Sequence, residues 1–159
     1  MRVGLGYDSH RFADGRRLVL GGIDIPHERG LAGHSDADAV AHALTDAVLG
    51  AAGLGDIGRH FPPADERYRD ADSIGLLERA AHLAAEHNYQ VINADVTVVC
   101  ETPKIGAHAA AMCERLAHAL GIAPSFVSVK GKTNEGMGWI GAGEGVAAMA
   151  VVLVDRVEG

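Results

Sequence analysis

A chain of 159 residues can bury a sizeable core within one domain, and its 48% apolar content is that of a globular protein. Aromatic residues make up only 4%, so the core must rest on Ala, Val, Leu and Ile, and a net charge of −7 argues against a nucleic-acid surface, which needs clustered Lys and Arg. Two cysteines exclude a disulfide framework, the longest apolar run (146–154) is far too short for a membrane span, and Asp8, His10 and Arg11 come too early for a targeting segment, so a cytoplasmic location is expected.

Arg2 to Tyr7 reads as a short strand ended by the polar Asp8-Ser9-His10. Leu18–Leu20 and Ile23–Ile25 flank Gly21-Gly22, the pattern of a small hairpin. The helix that follows is capped by Ser35 or Asp36, carries the stripe Ala39, Val40, Ala43, Leu44, Ala47 and Val48, and closes at Gly50 and Gly53. Asp56-Ile57-Gly58 and Phe61-Pro62-Pro63 belong to a loop without periodicity. A second helix, capped by Asp72 or Ser73, buries Ile74, Leu77, Ala80, Ala81 and Ala84. A strand over Val91–Cys100 sets Val91, Asn93, Asp95 and Thr97 against Ile92, Ala94, Val96 and Val98. Pro103 opens a third helix that ends at Gly121. Phe126–Val129 is a strand, Gly131–Gly145 a glycine-rich loop, and Val146–Val154 a long final strand. The order predicts one α+β domain over residues 1–159, a sandwich with its helices on one face of the sheet.

Asp8 and His10 are two apart, so on a strand both side chains share a face while Ser9 points the other way. Alone, the pair is equally a polar turn. His42, on the polar side of the first helix, supplies a third donor. One carboxylate and two imidazoles suit Zn²⁺ and leave one tetrahedral position open. Asp38 or Asp46, each one turn from His42, is placed to accept the imidazole N–H that faces away from the metal. His34-Ser35 precedes the same helix, where either phosphate binding or simple capping is served. Gly131-Lys132-Thr133 resembles the end of a phosphate-binding loop, but position 126 is Phe rather than the Gly such a loop requires. Lys130, Lys132, Thr133 and Glu135 remain a set that could hold a phosphate chain with its Mg²⁺, or a solvated loop.

Assembled, these segments closely resemble the 2-C-methyl-D-erythritol 2,4-cyclodiphosphate synthase family. The likeness lies in Gly6–Phe12, Gly21-Gly22-Ile23, His34–Asp38, His42–Ala47, Leu54–Gly58, Phe61-Pro62, Thr102-Pro103-Lys104, Lys132–Gly136 and Gly143-Glu144-Gly145. It implies a ferredoxin-like α/β sandwich with a mixed sheet, three copies packed by their sheets around a trimer axis, and active sites between subunits. The implied reaction converts 4-diphosphocytidyl-2-C-methyl-D-erythritol 2-phosphate to the cyclic diphosphate and CMP. Asp8, His10 and His42 would hold zinc, and Glu135 magnesium or manganese. His34 and Thr133 would hold and polarise phosphates. Substrate contacts would come from Asp8, Ser9, His10, His34, Ser35, Asp56, Ile57, Gly58, Phe61, Pro62, Asp65, Lys132, Thr133, Asn134, Glu135 and Trp139, and from Pro103, Lys104 and Ile105 of an adjacent copy. Two departures stand out. Pro63 replaces the family's frequent Asp, leaving backbone or Asp65 to compensate, and Ala142 replaces an Arg linked in some members to an isoprenoid phosphate. A zinc phosphohydrolase and a non-catalytic isoprenoid-phosphate binder are the competing functions.

Overall fold

The computed structural model describes residues 1–157 and is built on a five-stranded mixed sheet with its main helices on one face. Seven strands form: β1 (Arg2–Ala13), β2 (Leu18–Leu20), β3 (Ile23–Ile25), β4 (Gly30–Leu31), β5 (Tyr89–Val99), β6 (Val127–Lys132) and β7 (Gly145–Arg156). The helices are α1 (Ala39–Ala52), α2 (Ile57–His60), α3 (Ser73–Glu86), α4 (Ala109–Leu120) and α5 (Gly138–Gly141). The large sheet runs β4-β1-β7-β5-β6, antiparallel except for the parallel pair β5–β6, while β2 and β3 form the separate hairpin. No helix among the described residues is long and apolar enough to cross a membrane.

Several boundaries differ from the sequence expectation, each for a physical reason. β1 does not stop at Tyr7, because pairing with β7 continues through Asp8↔Ala148 and His10↔Val146. The cap of α1 is Asp38, not Ser35 or Asp36; its side chain accepts from the N–H groups of Val40 and Ala41, and Gly53 ends the helix. Asp72, one of the two expected caps, starts α3. Asp56 caps a short helix where only a loop was read. Pro103 does not open α4: residues 105–107 form a 3-10 turn, and the helix begins at Ala109. The glycine-rich 131–145 segment includes the last two residues of β6, the whole of α5 and the first residue of β7. In β5, a bulge between Val91 and Asn93 shifts the alternation, so Val91 joins Ala94, Val96 and Val98 in the core instead of lying with Asn93.

The closest packing in the molecule sets α1 directly on β1. A Cβ added to Gly4 would lie 1.9 Å from the Ala47 carbonyl oxygen, and one on Gly6 would lie 1.7 Å from that of Ala43. Only glycine admits the helix backbone at this distance. The facing residues of β7, Ala148 and Ala150, are also small and fully buried. Because α1 is covered by the sheet and by α3, apolar residues on nearly all of its sides are buried.

The other face of the sheet is open. Val3, Leu5 and Tyr7 stand beside Met149 and Val151 of β7, in register Leu5↔Val151 and Tyr7↔Met149, and Leu5 is 69% exposed. At the β6 edge, Lys130 pairs with Asp95.

Replacing Gly6 with Ala should push α1 off β1 and lower stability by about 3 kcal/mol. Denaturant unfolding checks this; an unchanged midpoint would mean that the helix gives way at no cost.

Candidate active site

Gly4, Gly6, Asp8 and His10 share one face of β1, so the strand that admits α1 presents Asp8 and His10 just beyond the contact. His42 stands one residue before Ala43, whose carbonyl meets Gly6. The three side chains converge as the spacing implied. Asp8 Oδ2 lies 2.8 Å from His10 Nε2 and 3.1 Å from His42 Nδ1, and the two nitrogens are 3.2 Å apart. Donor atoms bound tetrahedrally at zinc-like bond lengths stand about 3.3 Å apart, so the triangle fits a single small divalent ion.

The outer hydrogen bonds orient both rings. His10 Nδ1 is 2.8 Å from the Ala32 carbonyl oxygen; a carbonyl only accepts, so Nδ1 carries a proton and Nε2 is the nitrogen that faces the centre. His42 turns Nε2 to Ser73 Oγ at 2.8 Å and Ser35 Oγ at 3.1 Å. The expected partners, Asp38 and Asp46, serve elsewhere. Asp38 is wholly buried and accepts from the backbone N–H groups of Gly21 (2.9 Å), Gly22 (2.7 Å), Val40 and Ala41 (3.0 Å each). Burial pushes its carboxyl up to about 6 against the pull of those N–H groups. Asp46 accepts from Ile57 N at 2.7 Å, which docks the Asp56–Gly58 turn onto α1.

Burial alone would disfavour the Asp8 carboxylate, but the hydrogen bonds and charges of His10 and His42 outweigh it and hold the group at about 2. His10 is also opposed by burial, yet Asp8 raises it above the ordinary histidine value. In linkage terms, the depressed Asp8 stabilises the fold above about pH 4 and loses that contribution as pH falls through 2. The raised His10 stabilises below its unfolded value, and that contribution fades as pH rises through the folded one.

Beside the triad lies a cavity of about 260 Å³, lined by His10, His34, Ser35, His42, Ile57, Gly58, Phe61, Pro63, Tyr68 and Leu76. Of the expected contacts, His34, Ile57, Gly58 and Phe61 meet here. Ser35 also lines the cavity, though its hydroxyl is engaged by His42 and by Ala37 N. Pro63 lines it too, so the departure at this position places an apolar wall where an acid is frequent. Pro62 is exposed and is not part of the lining. Asp65 lies outside the lining; Arg67 pairs with its carboxylate at 2.6 Å, and Asp65 caps the turn over Glu66–Tyr68. Asp56 is exposed at the start of α2 and uses one oxygen on Arg59 N. Ser9 alternates away from Asp8 and lines a separate hollow with His10, Arg11, Trp139 and Glu144. Tyr68 and Leu76 were not anticipated; an aromatic residue in an otherwise polar loop was the only available signal for the first.

A second group gathers at the C-terminal ends of the parallel pair β5–β6. Asn134 N donates to Glu101 Oε1 at 2.9 Å, Thr133 and Glu135 are adjacent and exposed or half-exposed, and Ile105 packs against Gly131 beyond Pro103 and Lys104. Strand register relates the two groups. Ser9 pairs with Ala147, Ala147 with Val99, and Val99 with Lys132, so both lie at the same end of the sheet. Three strand spacings separate them, about 14 Å. The structure therefore brings Asp8, His10, His42, His34 and the 57–61 turn together, but holds Lys132–Glu135 apart from them within one chain.

Three comparisons bear on this arrangement. The YgbB family model matches residues 1–155. A 2-C-methyl-D-erythritol 2,4-cyclodiphosphate synthase of Dechloromonas aromatica is 55% identical over 156 residues, covering 98% of each chain. A solved CDP-bound structure of such a synthase superposes with a TM-score of 0.88 at 40% identity, over 97% of this chain and all of that one. The bifunctional IspDF of Campylobacter jejuni superposes with a TM-score of 0.95 at 39% identity, over 99% of this chain but 42% of the longer one.

Replacing His42 with Ala should abolish stoichiometric metal binding, read by elemental analysis, with circular dichroism unchanged. In the parent protein, uptake of a divalent ion must displace the proton that His10 shares with Asp8. Metal affinity should therefore weaken as pH falls through the raised His10 value, and affinity independent of pH would contradict the assignment of these donors.

Proposed function

The chain belongs to the YgbB family of 2-C-methyl-D-erythritol 2,4-cyclodiphosphate synthases, and from that premise we propose a mechanism in which two copies complete each active site. The reaction converts 4-diphosphocytidyl-2-C-methyl-D-erythritol 2-phosphate to the 2,4-cyclodiphosphate with release of CMP, a phosphorus–oxygen lyase step of isoprenoid precursor synthesis. The observation that carries this reading is the convergence of Asp8, His10 and His42 beside a cavity of about 260 Å³.

The chemical problem is repulsion, since an anionic phosphate must approach another within one molecule. When bound, zinc at the triad supplies Lewis-acid relief at the phosphorus under attack, and magnesium or manganese held through Glu135 offsets charge on the departing nucleotide. The protein's own part is positioning, which turns a flexible substrate into an in-line arrangement. His34 stands at the cavity wall to hold a phosphate. Asp56, with one carboxylate oxygen free of Arg59, accepts a substrate hydroxyl, and the turn through Ile57 and Gly58 closes around it. Phe61, Pro63, Tyr68 and Leu76 exclude water from that end. Lys132, Thr133 and Asn134 take the diphosphate, while Pro103, Lys104 and Ile105 cover the nucleoside. No general base is required, because the attacking phosphate is already ionised.

The separation of the groups by three strand spacings, about 14 Å, supports a site shared by neighbouring copies. The exposed Val3, Leu5, Tyr7, Met149 and Val151 supply a surface by which three sheets would pack around a common axis, in the ferredoxin-like manner of the family. The match over residues 1–155 supports reading the whole chain as one synthase domain, and the free Cys100 and Cys113 suit a reducing cytoplasm.

Pure protein incubated with the CDP-linked substrate and Mg²⁺ should release CMP and a cyclic diphosphate, followed by ³¹P NMR. A linear phosphate would favour a phosphohydrolase, and no turnover would refute the assignment. Exchanging Glu135 for Gln should raise the Mg²⁺ requirement and leave zinc content intact, whereas equal loss of both would contradict the division of metals. A Leu5→Glu chain should run as a monomer in light scattering; retention of the parent's assembly would place the interface elsewhere.

A further inference from the structure

His42 is the one triad member donated by a helix, and the group behind it comes from two other parts of the chain. Its Nδ1 faces Asp8 and His10, so its Nε2 faces outward, to Ser73 Oγ at 2.8 Å. Ser73 is fully buried at the first position of α3. Its hydroxyl also meets Asp36 Oδ1 in a short contact, and its backbone N–H donates to Asp36 Oδ2 at 3.0 Å. A hydroxyl has one proton to give, and a carboxylate only accepts. The Ser73 proton therefore goes to Asp36, and the Ser73 oxygen accepts from His42 Nε2–H. Ser35 Oγ, at 3.1 Å, already accepts from Ala37 N and supplements the same end of the ring.

Resting on the metal-site reading above, we propose that Asp36 and Ser73 are positioning residues for that site, a carboxylate acting through a hydroxyl to fix the tautomer of His42. The bridge would hold the proton on Nε2 and so leave the Nδ1 lone pair free for an ion at the triad. The Asp36 charge, passed through the hydroxyl, makes the imidazole a better donor. The same carboxylate anchors the first turn of α3, so an element with no ligand of its own sets the ring angle of one that has. Arg16 stiffens the loop from the other side, donating to the carbonyls of Gly33 (2.8 Å) and Ser35 (2.5 Å).

The test measures Zn²⁺ and Co²⁺ affinity of metal-stripped protein by competition with a chromophoric chelator, together with the visible Co²⁺ spectrum. Ser73→Ala and Asp36→Asn should each lower affinity about 10–100-fold and shift the Co²⁺ bands. The double variant should bind no more weakly than Ser73→Ala alone, because both changes break one relay. Asp72→Ala is the control. It removes the cap of the same helix, where Asp72 accepts from Ile74 N, and should leave affinity and spectrum as in the parent. If it lowers affinity equally, Ser73 acts only through the fold of α3, and the relay is overturned. Parent-like affinity in both relay variants overturns it too, while His42→Ala losing the ion would leave the metal site standing. A His42→Ala protein that still binds Zn²⁺ like the parent would refute the metal site itself. Should Ser73→Ala fail to fold, Asp36→Asn, at a half-exposed position, carries the test.

Discussion

The approach of α1 to β1 across Gly4 and Gly6 governs the rest of the molecule. With hydrogen in place of Cβ, the carbonyls of Ala43 and Ala47 settle onto the strand backbone, and the helix axis is fixed in both height and rotation. Asp8 and His10 continue the same face of β1, and His42 precedes the contacting Ala43. The distance between strand ligands and helix ligand is thus set by backbone contact, not by long side chains. A larger residue at position 4 or 6 would open the triangle even if every ligand remained. The low aromatic content follows from the same requirement: a layer of Gly and Ala leaves little room for rings between helix and sheet.

Asp38 has a comparable role at the helix entrance. Four backbone N–H groups from two separated segments converge on one buried carboxylate, so the Gly21-Gly22 turn and the start of α1 are fixed together. The cost of burying that charge is offset by donors that would themselves be orphaned without it. Between this anchor and β4, residues 33–37 form a short loop that carries His34, Ser35 and Asp36. Ala37 takes a left-handed conformation there (φ 59°), which lets Ser35 and Asp36 turn toward His42 and Ser73. The polar block in the sequence thus supports His42 from behind.

Much of this was legible from the residues. The strand period of two put Asp8 and His10 together, the apolar stripe found α1, and the family motifs joined His42 to them. Sequence could not supply partners 31 residues away, so His42 was assigned to the acids on its own helix when Ser73 of α3 holds it. Nor could it reveal the bulge at Val91/Asn93, which reverses an alternation that looks regular on paper. Pro103 carried a helix-start signal, but the segment to Ala107 turns before the helix begins. The order β4-β1-β7-β5-β6 depends on long-range pairing that no local pattern encodes, and with it the 14 Å gap that separates Lys132–Glu135 from the triad.

The sheet's margins have a consequence for how copies of the chain meet. β4 offers only two residues for pairing, and β6 ends in Lys130, Gly131 and Lys132, with Lys130 held by Asp95. A margin that short on one side and that charged on the other resists the addition of a further strand. The apolar patch of Val3, Leu5, Tyr7, Met149 and Val151 lies on the flat of β1 and β7, so a contact between copies made through it would be broadside. Broadside contact around an axis closes on itself and stops, whereas strand-to-strand addition would have no natural end. The lysines of β6 thereby guard against edge-to-edge growth in a protein that carries an apolar patch on the flat of its sheet.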